Sequence, residues 1–130
     1  MYKLFELGWG TDNRAFRQVF ATQFLPGASP ELIDAFDELQ RRSATAAEAV
    51  RSMQVSVQID VARLCERVRC PTLVLHCRDD AVQPFDEGRY IAANIPGARF
   101  VGLEGRNHLI LEGDPGWWRF QNEVDAFLAA

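Results

Sequence analysis

The run Thr72-Leu73-Val74-Leu75-His76, directly behind Pro71, is almost wholly apolar. A short strand with apolar residues on both faces suits coverage on both faces, as in a parallel sheet. Beyond it, Pro84 to Ile95 reads as a helix. Asp86 and Glu87 stand near its start, where the helix dipole favours acids, and the Pro96-Gly97 turn ends it. Arg99 to Leu103 is a second strand. Asp114 and Pro115 open a last helix, with Trp117, Phe120, Val124 and Phe127 at helical spacing. A strand–helix–strand unit of this length crosses over right-handed and sets its strands parallel. The second half is therefore an α/β arrangement, in which ligands bind at the carboxyl ends of the strands.

The first half, residues 1–69, reads as helices. Ala15, Phe16, Val19, Phe20 and Phe24 share one face of a first helix, which Pro26 and Gly27 stop. Ser29 followed by Pro30 is a cap with proline at the first helical position. The helix it opens carries Leu32, Ala35, Phe36 and Leu39 on one stripe. Thr45 and Glu48 have capping-box spacing and start a third helix, Ala46 to about Met53. Asp60 is expected to cap a short fourth helix with Val61, Leu64 and Val68 facing inward. The phenylalanines read as helix core rather than as ligand groups.

A chain of 130 residues supports one modest core. Its net charge of −4 weighs against a nucleic-acid-binding face. No apolar run reaches the length a bilayer requires, so no membrane partner is expected. The start MYKLFELGWG lacks the basic, apolar and small-residue pattern of a signal peptide. Cys65, Cys70 and Cys77 make an odd count. Without a secretory signal, that suggests reduced thiols and a cytoplasmic location. A zinc site from Cys65, Cys70, His76 and Cys77 does not fit compact paired-ligand spacing. Neither a metal nor another cofactor is expected.

Two loops follow the two strands: CRDDAVQP, Cys77 to Pro84, and EGRNH, Glu104 to His108. One offers a carboxylate and the other an imidazole. A buried carboxylate bonded to one ring nitrogen fixes the tautomer, and the other nitrogen then takes a proton from a nucleophile. Asp80 is the candidate acid and His108 the candidate base. Asp80 also suits a loop carboxylate bonding nearby amides, and a one-residue slip would give its role to Asp79. His108 also suits an ordinary loop histidine. A reactive Cys77 would need a cationic neighbour or a helix N-terminus. Strand alternation points His76 and Cys77 to opposite faces, so adjacency does not pair them.

The run PTLVLHCRDDAVQP, followed by IPGARFVGLEGRNHLILEGDPGWWRFQNEVDAFL, resembles the C-terminal part of an α/β-hydrolase. In that family the triad acid lies in a loop patterned G-x-x-D-x-x-x-P. Cys77 stands at the glycine, Asp80 at the acid and Pro84 at the proline. The family's G-x-x-H context matches Gly105 and His108. Residues 1–69 resemble the helical cap, and 70–130 the last core strands and helices. The wording GRNH…LE…P–W is most similar to hydrolase-like modules of bacterial LuxR-type or cyclase-type regulators. The resemblance implies a partial α/β-hydrolase fold, a helical cap followed by a parallel strand-helix-strand-helix unit. It further implies Asp80 as orienting acid and His108 as general base in hydrolysis of an ester-like small molecule.

Two departures qualify that implication. The chain has no G-x-S-x-G elbow, and Ser29, Ser43, Ser52 and Ser56 lie in helix caps or helices. The nucleophile is therefore expected from outside residues 1–130. The alternative is a non-catalytic sensing or assembly module that holds a small apolar ligand. The other departure is Cys77 at the glycine position, because a residue with a β-carbon resists positive φ. The apolar strand Thr72–His76 lacks a preceding core strand, so a homo-oligomer is expected. It is a dimer through that edge or through exchanged cap helices.

Overall fold

The computed structural model describes residues 8–9 and 14–130, so most of the N-terminal stretch read for a leader lies outside the described residues. The chain divides into two compact units, Met1–Asp60 and Val61–Ala130.

The first unit is helical, with α1 (Arg14–Phe24), α2 (Pro30–Ser43) and α3 (Ala46–Ser56). The Ser29 side chain accepts from the Leu32 amide, and Pro30 takes the first helical position, where a missing N–H removes no helical bond. At α3 the Thr45 amide donates to Glu48 Oε2 at 2.8 Å, and the Glu48 amide donates to Thr45 Oγ1 at 3.3 Å. This reciprocal box satisfies two backbone donors. With no proline or glycine to stop it, α3 runs on to Ser56, past the expected Met53.

The inward stripe of α2 differs from the expected one. Leu32, Ala35 and Leu39 are exposed, whereas Asp37 is buried and Ile33, Phe36 and Gln40 are half-buried. Both sets satisfy the i, i+3, i+4, i+7 spacing of one helix face. The ring of Phe36, 5.9 Å from that of Phe24, belongs to both sets and fixes only one edge of the buried face. On α1, Val19 is 53% exposed while Ala21 is buried, and Leu25, just past the end of the helix, is buried as well. Ala49 and Val50 form a small core with Trp9, Phe20 and Met53.

The second unit contains a 3-10 helix (Ala62–Arg67), β1 (Leu73–Cys77), α4 (Phe85–Asn94), β2 (Arg99–Leu103) and α5 (Trp117–Leu128). The expected short α-helix capped by Asp60 is instead this six-residue 3-10 turn. The residue before it is Val61, whose side chain offers no cap. Val61 and Leu64 are 55% and 49% exposed rather than inward. The segment packs against α4.

β1 and β2 are parallel, in register from Leu73 opposite Arg99 to Cys77 opposite Leu103. β1 is displaced one residue from the expected Thr72–His76, and α5 begins after a turn containing Asp114 and Pro115. The Arg99 amide donates to Thr72 O at 3.0 Å, and the Arg78 amide to Leu103 O at 2.9 Å. Alternate residues of a parallel strand bond to the same neighbour. Thr72, Val74, His76 and Arg78 therefore face β2, and Leu73, Leu75 and Cys77 turn their backbone groups to the opposite edge. Among the described residues, the sheet has these two strands.

Cys77, Val101 and Leu103 form the buried core of the unit, with Leu73, Leu75, Ile110 and Phe120 packed against them. Among the described residues, no helix is long and apolar enough to cross a membrane.

Leu103 is 2% exposed at the carboxyl end of β2. Leu103→Ala is expected to destabilise the fold by about 2–5 kcal/mol, the range for removing a buried leucine side chain. Urea denaturation of the two proteins measures this difference. A loss below about 1 kcal/mol would place the core elsewhere.

Candidate functional site

Two loops leave the carboxyl ends of β1 and β2 and run side by side. The Asp79 amide donates to Gly105 O at 3.1 Å, and Arg78 Nε donates to Glu104 Oε1 at 2.8 Å. Gly105 has φ +140°, a conformation that side chains rarely adopt.

The first loop carries Asp80, whose side chain is 4% exposed. Its Oδ1 accepts from the amides of Val82 at 2.7 Å and Gln83 at 3.0 Å. Its Oδ2 accepts from His108 Nδ1 at 2.7 Å. One carboxylate thus does both things the sequence left open, holding its own loop and bonding the imidazole. Asp79 is exposed, so the slip that would exchange the two acids does not occur. Burial pushes the Asp80 carboxyl up, but the His108 hydrogen bond and the Gln83 and Val82 amides outweigh it and hold the group below its ordinary value.

The second loop carries His108, whose side chain is 29% exposed. Beside it, Asn107 is buried, and its Nδ2 donates to both Asp114 oxygens at 2.9 and 3.1 Å. Asp114 Oδ2 also accepts from the Leu111 amide at 2.9 Å. These bonds close the loop on itself behind the histidine. Sequence reasoning passed over Asn107 and treated Asp114 only as the opening of a helix. The signal was an asparagine adjoining the histidine, with an acid seven residues on. A carboxylate acceptor requires a donor at Nδ1, so in the neutral ring it is Nε2 that carries the lone pair.

Asp80 and His108 belong to the lining of a cleft of about 430 Å³. Its apolar lining is Leu75, Leu103, Leu109, Ile110 and Phe120. Cys77 also lines it and is buried. Burial raises the Cys77 thiol, and the Asp114 and Asp80 carboxylates raise it further. A nucleophilic thiolate needs the opposite shift. Cys77 is the last residue of β1, and no described non-glycine residue has positive φ. The glycine position of the acid loop therefore takes ordinary strand backbone here. No serine occurs between Val61 and Ala130. Ser29 caps α2, Ser43 ends it, and Ser52 and Ser56 lie in α3. Among the described residues, no group of three or more His, Cys, Asp or Glu side chains is arranged to hold a metal ion.

No model of a known protein family matches the chain. Over 80 residues it is 32% identical to the "Putative carbamate hydrolase RutD" of Pseudomonas syringae, covering 62% of this chain and 30% of that protein. The match to the protein of the same name from Pseudomonas savastanoi is also 32% identical, over 81 residues. The chain thus spans under a third of the length of the curated relatives it matches. Among solved structures, an esterase from Exiguobacterium antarcticum superposes with a TM-score of 0.75 at 19% identity, covering 92% of this chain and 44% of the esterase. A hydrolase from Pseudomonas aeruginosa gives 0.73 at 25% identity, with 89% and 44% covered. The chain therefore has a partial α/β-hydrolase fold, and its likenesses are to hydrolases.

A carboxyl held below its ordinary value contributes stability that is fully present above the unfolded value, about 3.9 for aspartate. That contribution disappears as pH falls through the lower folded value. Thermal melts of the native chain are expected to lose Tm below about pH 4, with a shallower acid limb in Asp80→Asn. Identical acid limbs in the two proteins would show that Asp80 is not charged and bonded in the native state.

Proposed function

We propose that this chain supplies the acid and base of a serine-type hydrolase acting on an ester-like small molecule, a carboxylic ester or a carbamate. The serine and the oxyanion donors come from outside residues 1–130. The observation that carries this reading is the 2.7 Å bond from His108 Nδ1 to Asp80 Oδ2 beside an apolar cleft. Asp80 holds the imidazole in one tautomer and stabilises the imidazolium that forms. His108 Nε2 takes the proton of the attacking hydroxyl as the carbonyl becomes tetrahedral, then returns it to the leaving oxygen or nitrogen. Water repeats the sequence on the acyl-enzyme. The apolar lining suits the hydrocarbon part of a small substrate. The names of the relatives, an esterase and a carbamate hydrolase, favour an acyl carbon bonded to oxygen or nitrogen. A cytoplasmic location belongs to the same proposal, since free Cys65, Cys70 and Cys77 fit a reducing compartment.

The DNA upstream of codon 1 is expected to encode an in-frame G-x-S-x-G. In the polypeptide carrying it, Asp80→Asn is expected to lower kcat on p-nitrophenyl esters by about 10⁴-fold, and His108→Ala at least as far. The 130-residue chain alone is expected to cleave p-nitrophenyl acetate no faster than free imidazole. A base without a positioned nucleophile and oxyanion donors lacks the largest contributions to acyl transfer. A saturable esterase activity of the short chain, abolished by His108→Ala, would overturn the external nucleophile.

The wording Gly105-Arg106-Asn107-His108 with Leu111-Glu112, Pro115 and Trp117 favours a second reading. It is a non-catalytic ligand-sensing or assembly module of a bacterial regulator of the LuxR or cyclase type. A helix-turn-helix or cyclase region encoded upstream, with a degenerate elbow, decides for it. We also propose that the chain dimerises along the β1 edge presented by Leu73, Leu75 and Cys77. A two-fold axis would pair the two strands antiparallel into a four-stranded sheet. Exchange of the first-unit helices is the other route. Sedimentation equilibrium is expected to give the mass of two chains. Leu75→Pro removes an edge-facing N–H without touching the β2 ladder, and is expected to give one chain. A monomeric native protein rejects the assembly, and a dimer that survives Leu75→Pro selects the helices.

A further inference from the structure

We infer that His76 is a positioning residue for the Asp80–His108 pair: its imidazole holds the turn that aims the Asp80 carboxylate at His108. The inference deepens the proposed hydrolase reading and rests on it for the roles of acid and base. Its geometry is independent of any reaction.

The His76 side chain is 13% exposed. Its Nε2 lies 3.0 Å from the carbonyl oxygen of Gln83. A carbonyl only accepts, so Nε2 carries the hydrogen and donates. The amide of the same residue, Gln83, donates to Asp80 Oδ1 at 3.0 Å. A single residue is thus gripped on one side by the imidazole and on the other by the carboxylate. His76 Nε2 is also 3.5 Å from Asp80 Oδ2, the oxygen that bonds His108 at 2.7 Å. At that separation it does not displace His108 as the partner of Oδ2. Its grip on Asp80 runs through Gln83.

The surroundings are shaped to the ring. Phe85, the first residue of α4, meets it edge-on with centroids 5.8 Å apart and planes at 90°. One turn further along α4 comes Gly88, where a β-carbon would sit 2.6 Å from His76 Nδ1. Glycine is the poorest helix former after proline, and its place within α4 is explained by the clearance the imidazole needs. An apolar residue at position 76 would fill the same space and leave the Gln83 carbonyl without this donor. As sequence, His76 had weight only as a neighbour of Cys77 or as a zinc ligand. Its partner lies seven residues ahead, where the loop doubles back.

NMR on the isotope-labelled full chain tests the assignment. In the native protein, the proton on His108 Nδ1 is expected as a low-field signal protected from solvent exchange, alongside protected Val82 and Gln83 amides. His76→Leu is expected to speed exchange of all three by about tenfold, the effect of losing one hydrogen bond. His76→Gln, whose side-chain amide also donates, is expected to restore the native rates. Gly88→Ala improves helix propensity yet is expected to behave like His76→Leu, because the methyl group displaces the ring. Native exchange rates in His76→Leu overturn the inference. If that variant does not fold, native rates in Gly88→Ala overturn it. Rates in His76→Gln as fast as in His76→Leu overturn the hydrogen-bond route. A native chain without the low-field signal overturns the pair and this inference with it. Absence of hydrolysis in the longer polypeptide, with the NMR effects intact, overturns the proposed function alone.

Discussion

The carboxylate of Asp80 is withdrawn from water, and everything at the strand ends is arranged around keeping it charged there. Burial by itself favours the neutral acid. Three directed N–H groups reverse that preference: the amides of Val82 and Gln83, and Nδ1 of His108. Two of the three come from its own loop, so the loop is folded by the charge it carries. The third comes from a residue 28 positions away, brought near only because β1 and β2 lie side by side. Without the carboxylate, the amides of Val82 and Gln83 lose their acceptor and the imidazole loses the partner that fixes its tautomer.

The polar ties around this centre are unequal. Arg78 and Glu104 join the two loops, but both side chains are about half-exposed. Such pairs contribute about 0–1 kcal/mol. Asn107 is 1% exposed, and leaving a buried amide and its partners unsatisfied costs about 1–3 kcal/mol. The buried Asn107–Asp114 clamp therefore does more than the exposed ion pair to decide where His108 stands. The small size of the core makes this division matter. Cys77, Val101 and Leu103 are its buried members, and three side chains cannot immobilise two long loops.

Much of this was legible in the sequence, because the α/β unit is built from strong local signals. Pro71, an apolar run, acids at a helix start and a Pro-Gly turn each point one way, and β2 was read to its exact ends. That Asp80 and His108 meet was legible because both stand in loops at the carboxyl ends of neighbouring strands. The failures have physical causes. The stripe of α2 was misplaced because two overlapping stripes share Phe36, and apolarity favoured the one that faces water. The turn Ala62–Arg67 was read as a capped α-helix because periodicity over six residues does not separate the two helix types. Asn107 and His76 were missed because their partners are set by loop paths, which no periodicity encodes.

The parallel register gives the pair a property its separation in sequence hides. Cys77 lies opposite Leu103, so the distance between the loops is set by ladder rungs and not by the chain that joins them. Beyond Gly88, which packs against His76, the rest of the crossover is then a spacer whose length is free to drift, provided its end still meets β2. The strands have no such latitude. Removing one residue from either would slide a loop by about 3.3 Å and turn the core-facing side chains to the opposite face. Insertions and deletions in relatives of this chain should accordingly gather between Gly88 and Arg99 and spare the ten residues of the ladder.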